Sequence, residues 1–280
     1  MILHALGIVV AVAFLILCTL LPFLPGRYDG LAIPLSVMAQ AAGIAGLVLI
    51  PCGVLLIAAN RSPKLAQWRP AVSFIALLLS SLIWLAVLLA AIINSGFALG
   101  FVVLALWVIV ARKAWLSIRL MKTFGSDRAG VVGYYLAVVP VAVVALQFAL
   151  LGAAVEYSRN QAIQNSAPLL EEIEQYRARH GRYPASLLSV NPDYSPNVVG
   201  IEKYQYEPHN DGYNLFFEQF TYRFGTREFV MYNPRGEHVM TSHALDLLQL
   251  TPPQLALERT RGHYALNDSA HQHWKYFWFD

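Results

Sequence analysis

The sequence predicts a membrane all-α bundle of five transmembrane helices followed by a C-terminal α+β domain, one long helix packed on a small antiparallel sheet. Three observations predict it. The chain has 280 residues, 57% of them hydrophobic and 13% charged, where a soluble domain is about 45–50% apolar and about 25% charged. The excess is uneven: residues 1–155 hold 9 Lys+Arg and 2 Asp+Glu, whereas residues 156–280 hold 11 and 15. Apolar runs of about 20 residues, the length that crosses a bilayer as a helix, recur through the first half and are missing from the second. The chain therefore divides into 1–155, a five-helix transmembrane domain, and 156–280, an extracytoplasmic domain large enough to bury its own core.

The spans are about 3–24, 32–59, 71–93, 97–117 and 131–155. Pro22, Pro25 and Gly26 close the first; Asn60, Ser62 and Pro63 close the second, which is long enough to tilt or to begin in the interface. Asn94-Ser95-Gly96 joins the third and fourth as a tight turn. The first run lacks a positive leader, and Leu17 before Cys18 is too large for a lipoprotein cleavage site, so a retained helix is expected. Cys18 and Cys52 both lie in apolar runs, and the second half has no cysteine for a disulfide, a thiolate metal site or a nucleophile.

Topology follows from the positive charges. Arg61, Lys64 and Arg69 lie in one loop, and Arg112, Lys113, Arg119, Lys122 and Arg128 in another; with five spans both share the side of the N-terminus. The opposite loops, 25–31 and 94–96, offer only Arg27. The N-terminus is thus expected in the cytoplasm and residues 156–280 outside it, at a bacterial inner membrane.

No ionisable residue sits centrally in a span, and His4 lies at an edge, so the mark of a proton relay or ion path is missing. Gln40 and Gln147 are the most polar interior residues and are expected to make interhelical hydrogen bonds. Gly96 with Gly100, and Ala42 with Gly46, permit close packing within the chain or between copies. Pro140 is expected to kink the fifth span. Segment 111–129 carries Trp115, Leu116, Ile118, Leu120 and Met121 among five positive charges. It reads as an amphipathic extension on anionic headgroups, or as a cytoplasmic partner site.

In the second half a polar stretch, EYSRNQAIQNS, leads to LLEEIEQYRARHGRYPASLL. Ser166 is expected to cap the helix, with Pro168 in its first turn. Leu169, Leu170, Ile173 and Tyr176 form its apolar face. Glu171, Glu172 and Glu174 precede Arg177, Arg179 and His180, complementing the helix dipole, and Gly181 stops the helix. Pro184 then opens a short turn through Leu187 and Leu188. Strands follow: Tyr204-Gln205-Tyr206, a turn at His209-Asn210-Asp211-Gly212, and the return Tyr213–Phe217. A second hairpin is expected to pair Phe229–Tyr232 with His238–Met240 across Asn233–Gly236. Thr251-Pro252-Pro253 reads as the start of a helix to about Arg259, and His273–Phe279 as a final strand.

The order of a membrane helix, EQYRARHGRYPASL and YQYEPHNDGYNLFFE over about residues 157–240 resembles the globular part of type IV pilin-like proteins, in particular the major pseudopilins of type II secretion. The matching residues are Tyr176, Gly181, Tyr183, Pro184 and Leu187, then Tyr206, Gly212 and Tyr213. The resemblance implies a shared module rather than a shared role in a filament. Here the preceding helix is the fifth span, with no prepilin peptidase site before it and no acidic residue within it.

Seven of eight histidines lie in the second half: His180, His209, His238, His243, His263, His271 and His273. His271 and His273, two apart on the expected last strand, would share a face and offer the weak metal candidates. The carboxylates of Glu171, Glu172 and Glu174 read as a solvated helix face. Neither a Gly-x-Ser-x-Gly context around Ser186 and Ser189 nor a phosphate-binding fingerprint occurs, so no catalytic or cofactor site is expected. The Trp274, Tyr276, Trp278 face is a candidate contact for a partner or glycan; its other readings are core packing and an aromatic contact with the membrane surface. The chain is thus expected to be non-enzymatic, with the bilayer and a membrane or envelope protein as partners and no nucleic acid. The alternative is an accessory subunit of a transporter or secretion assembly with the helix bundle as its working part.

Overall fold

The computed structural model describes residues 2–124, 128–190, 194–209, 211–221, 227–236, 238, 240–242, 248–250 and 264–279. The chain forms two compact units: residues 1–21 with 30–150, and residues 22–29 with 151–280.

The first unit is helical. Its elements are α1 (Ile2–Leu20), α2 (Ala32–Gly46), α3 (Ile50–Arg61), the short α4 (Pro63–Ala66), α5 (Arg69–Phe124) and the first part of α6 (Arg128–Asn165). Among the described residues, five helical stretches are long and apolar enough to cross a membrane: Ile2–Phe23, Ala32–Arg61, Arg69–Ile93, Gly96–Leu120 and Ala129–His180. The long second stretch is interrupted by a 3-10 turn at Leu47–Leu49 just before Pro51. Within α5 the helix breaks at Gly96, whose φ of 75° lies in the region that favours glycine. The two halves run antiparallel, with Trp84 stacked on Trp107 at 5.5 Å and Phe74 against Trp115 at 5.9 Å. Gly100 faces Ile92 and Leu88 across that hairpin and so packs within the chain, whereas a Cβ on Gly96 would meet nothing within 4 Å.

Small residues also set the approach of α2 and α3 to α6. A Cβ on Gly53 would lie 2.7 Å from the Gly133 carbonyl oxygen, and one on Gly133 would lie 2.7 Å from that of Gly53. Gly46 rests on the Pro140 ring, which removes one N–H from the ladder of α6. Gly43 rests on Val143 and Gln147. A neutral polar network occupies the same interior. Thr19, Ser36, Gln40 and Gln147 are buried. The Ser36 hydroxyl donates to the Thr19 carbonyl at 2.6 Å, and Gln147 Nε2 donates to Thr19 Oγ1 at 3.2 Å. Gln147 thus joins helices as expected, while Gln40 bonds within its own helix, to Ser36 at 3.1 Å.

The second unit is the α+β one. Ser166 does not cap a new helix: its φ/ψ of −79°/−15° is helical, and its hydroxyl donates back to the Ile163 carbonyl at 2.6 Å. The polar stretch after Ala154 is therefore helical, and α7 (Ala167–His180) follows α6 with one residue between. The physical reason is a seam that continues through the polar sequence: Val155, Arg159, Ala162, Ser166, Leu169 and Ile173 are all buried at spacings of three and four. Gly181 ends α7 at φ 70°, its N–H bonded to the Arg177 carbonyl at 2.8 Å. A 3-10 turn follows at Leu187–Ser189.

Strands β1 (Gln205–His209), β2 (Gly212–Gln219), β3 (Arg227–Tyr232), β6 (Tyr264–Asp268) and β7 (Trp274–Phe279) form one antiparallel sheet in the order β1-β2-β3-β7-β6. Strands β4 (Met240–Ser242) and β5 (Leu248–Leu250) pair separately. The expected β1–β2 hairpin forms, with His209 opposite Gly212. The second expected hairpin is corrected: the turn at Asn233–Gly236 forms, but β3 pairs with β2 and β7, and Met240 belongs to β4. The aromatic last strand offers β3 a longer apolar partner than the polar-flanked residues after the turn. The expected helix from Thr251, and His243 and His263, lie outside the described residues, as does the side chain of His209.

The core lies between helices and sheet: Ala162, Ile163, Leu169 and Ile173 pack on Tyr213, Leu215, Phe217, Val230 and Trp274. Residues 22–29 belong to this unit through the chain 197–201. Gly26 N–H bonds the Asn197 carbonyl at 3.0 Å, Val199 N–H the Leu24 carbonyl at 2.9 Å and Gly200 N–H the Pro22 carbonyl at 2.8 Å. Phe23 stacks on Phe220 at 5.9 Å.

Candidate functional site

Alternation along the strands turns one side chain in two toward the helices. On that face Gln219, Glu228 and Trp278 form one row across β2, β3 and β7, and Phe217, Val230 and Tyr276 form the next. The first row is polar, and it meets Arg159 of α6. The Arg159 guanidinium clamps Glu228 with both nitrogens in line, Nε to Oε1 at 2.8 Å and Nη2 to Oε2 at 3.0 Å. Trp278 Nε1 donates to the same Oε2 at 2.5 Å, and the guanidinium carbon lies 3.7 Å from the centre of the Tyr276 ring. Both ends of the pair are buried, a placement tolerated when geometry is bidentate and further hydrogen bonds complete it.

This pair lies in the lining of a cavity of about 250 Å³. Glu156 and Asn160 line it from α6, Asp268 from the end of β6, Ser269 from the turn after it, and Tyr276 and Trp278 from β7. Glu156 and Asp268 are exposed, and Asp268 pairs with Lys275 at 3.0 Å. Glu228 accepts from Arg159 and Trp278, so its carboxylate is engaged in structure. Beside it, Gln219 donates to the Val155 carbonyl at 2.8 Å while its Oε1 has no partner among the described residues.

The residues that carry the family resemblance gather elsewhere, around Glu174. Tyr183 donates to Glu174 Oε1 at 3.2 Å and Tyr213 to the same oxygen at 3.4 Å; Arg177 donates to the Tyr183 hydroxyl at 2.7 Å. Tyr206 stacks on Tyr213 at 5.4 Å and donates to the Pro184 carbonyl at 2.8 Å. Burial pushes the Tyr213 and Tyr206 phenols up, and burial with the Glu174 charge does the same at Tyr183, against the pull of Arg177. These phenols stay protonated and donate. Tyr176 stacks on His180 at 4.1 Å, while Gly181 and Leu187 shape the turn below, and Gly212 opens β2. The cluster is the joint between helix and sheet.

The histidine pair is corrected: His271 and His273 lie in the turn before β7, not on a strand, and His273 has φ 64°. The Trp274 N–H bonds the His271 carbonyl at 3.1 Å, and that tight turn starts β7 one residue later than expected. Among the described residues no group of three His, Cys, Asp or Glu side chains is placed to hold a metal ion. His238 is fully buried, Nε2 2.9 Å from the His273 carbonyl oxygen and Nδ1 without a hydrogen-bond partner among the described residues. Desolvation lowers its pKa, with Lys275 adding to the effect, against backbone hydrogen bonds at His273, Gly236 and Met231.

The Trp274, Tyr276, Trp278 face turns inward. Trp274 is core, packed near Phe217 and Tyr232, and the other two are half-buried beside Arg159 and Glu228. Sequence reasoning missed Arg159 and Glu228. A signal was present: Glu228 is in phase with Val230 and Tyr232, and a carboxylate on an apolar strand face requires a partner.

No family model, curated protein or solved structure matches this chain.

Proposed function

We propose that the chain is a non-enzymatic integral protein of a bacterial inner membrane that displays its α+β unit, a pseudopilin-like module, outside the cytoplasm for contacts with a membrane or envelope protein. The observation that carries this reading is the pairing of residues 22–29 with 197–201. A loop between the first and second apolar helices that belongs to the C-terminal unit lies on that unit's side of the bilayer. An odd number of spans from α1 through α6 meets that condition, and five do so with Arg61, Lys64, Arg69 and the basic end of α5 on the cytoplasmic side. Within the module Arg159, Glu228 and Trp278 bond to one another, as in a structural scaffold, and the exposed Leu188 on its turn offers an apolar contact point, 82% accessible.

Photo-crosslinking tests the role. A benzoylphenylalanine placed at Leu188 in intact cells is expected to capture a discrete envelope or membrane protein; labelling of lipid alone would contradict the contact role. A pair of reporters fused after Asp280, one active only in the cytoplasm and one only outside it, tests the placement. The external reporter is expected to be active, and cytoplasmic activity would sink the envelope role.

A further inference from the structure

We propose that the cavity beside the Arg159–Glu228 pair binds a small zwitterion, a primary ammonium linked to an oxyanion, the chemistry of a phosphoethanolamine headgroup. The lining is polarised. Its floor is the Arg159 guanidinium, which spends Nε and Nη2 on Glu228 and leaves Nη1 without a partner among the described residues, although the side chain is 10% accessible. Those remaining N–H groups belong to a residue that lines the cavity and call for an acceptor. Its rim carries exposed carboxylates, Glu156 with no ion pair among the described residues and Asp268 shared with Lys275. These call for a cationic donor. The Asn160 amide and the Ser269 hydroxyl belong to the same lining. An anion alone would meet the rim carboxylates, and a cation alone would leave the guanidinium edge unpaired. A ligand with both charges satisfies both ends.

Position along α6 points to a lipid as the source. The cavity is built on Gly152 to Asn160, where the apolar run of the fifth span gives way to polar sequence, the level of headgroups. That choice of source rests on the proposed insertion of the bundle; the ammonium–oxyanion chemistry does not.

The full chain in detergent is titrated calorimetrically with O-phosphoethanolamine, dihexanoyl phosphatidylethanolamine, dihexanoyl phosphatidylglycerol and glucose. Saturable binding is expected for the phosphatidylethanolamine, and for O-phosphoethanolamine if the headgroup alone suffices, with phosphatidylglycerol and glucose at least tenfold weaker. Glu156→Gln, a change at an exposed position, is expected to weaken zwitterion binding at least tenfold without moving the melting temperature. Failure of both zwitterions to bind, equal binding of phosphatidylglycerol or glucose, or an unchanged Glu156→Gln variant would overturn the proposal. Tighter binding of the lipid than of the soluble headgroup assigns the source to the membrane. An inverted topology in cells would remove the proposed envelope role and leave these titrations as they are, so the two readings fail separately.

Discussion

The helical unit and the α+β unit bury polar side chains in different currencies. In the first, the interior polar groups are neutral and small in number, Thr19, Ser36, Gln40 and Gln147, and helices meet through bare backbone at Gly53 and Gly133. In the second, a full ion pair, Arg159 with Glu228, lies under the core face of the sheet. The contrast fits the surroundings proposed for each unit, hydrocarbon for the helical one and water for the α+β one. A charge in hydrocarbon has no alternative partner when its own is lost, and helix association there rests on close packing and neutral hydrogen bonds. A water-facing module can bury a charge pair when the two groups bond bidentately and neighbours support them, as Trp278 and Tyr276 do here.

The largest expected break of this contrast is in the module. Glu228→Gln leaves Arg159 buried without its anion and is expected to destabilise the α+β unit by about 3–5 kcal/mol. The double change Arg159→Met with Glu228→Leu is expected to restore much of that loss. Thermal melts of the full chain followed by tryptophan fluorescence compare the two; equal losses would show that the pair is not coupled. Next in size, Gly133→Val forces a branched side chain into the Gly53 backbone and is expected to cost about 1–3 kcal/mol, read as a lower melting temperature of the helical unit. Gln147→Leu removes the link to Thr19 and is expected to cost about 0.6–2 kcal/mol; a stabilised variant would mean that the neutral network is not needed for helix association.

The smallest effect is a pH dependence confined to the module. Burial holds His238 below its ordinary pKa of 6.5, so as pH falls the unfolded chain takes up the proton first. Stability is complete above that value and declines below it, with a slope of at most about 1.4 kcal/mol per pH unit. His238→Gln is expected to flatten the decline between neutral pH and the lower folded-state pKa, and an unchanged profile would assign it to other groups.

Much of the architecture is legible in the residues because its signals are local. Five apolar runs, the Asn94-Ser95-Gly96 break, the Gly181 stop and the Asp211-Gly212 turn each act over a few positions. The pairing of β3 with β7 was not legible, since it joins residues some forty-five positions apart and depends on which of two later strands covers more apolar surface. The cavity was hidden for a related reason. Arg159 sits in a stretch that looks like a solvated linker, and only the spacing from Val155 to Ile173 shows that it stays on the buried seam. Gln147 and the Trp274 face were visible as features, and it took the packing to say what each one touches.

The central claim is that the loop 22–29 and the α+β unit share one side of the membrane while the loop at 61–69 lies on the other. Single cysteines test it directly after Cys18 and Cys52 are replaced by alanine: Tyr28→Cys, Ser189→Cys and Lys64→Cys, each labelled in intact cells with a maleimide that crosses the outer membrane but not the inner. Labelling at positions 28 and 189 but not at 64 is the predicted result. Labelling at 64, or at only one of 28 and 189, would contradict it.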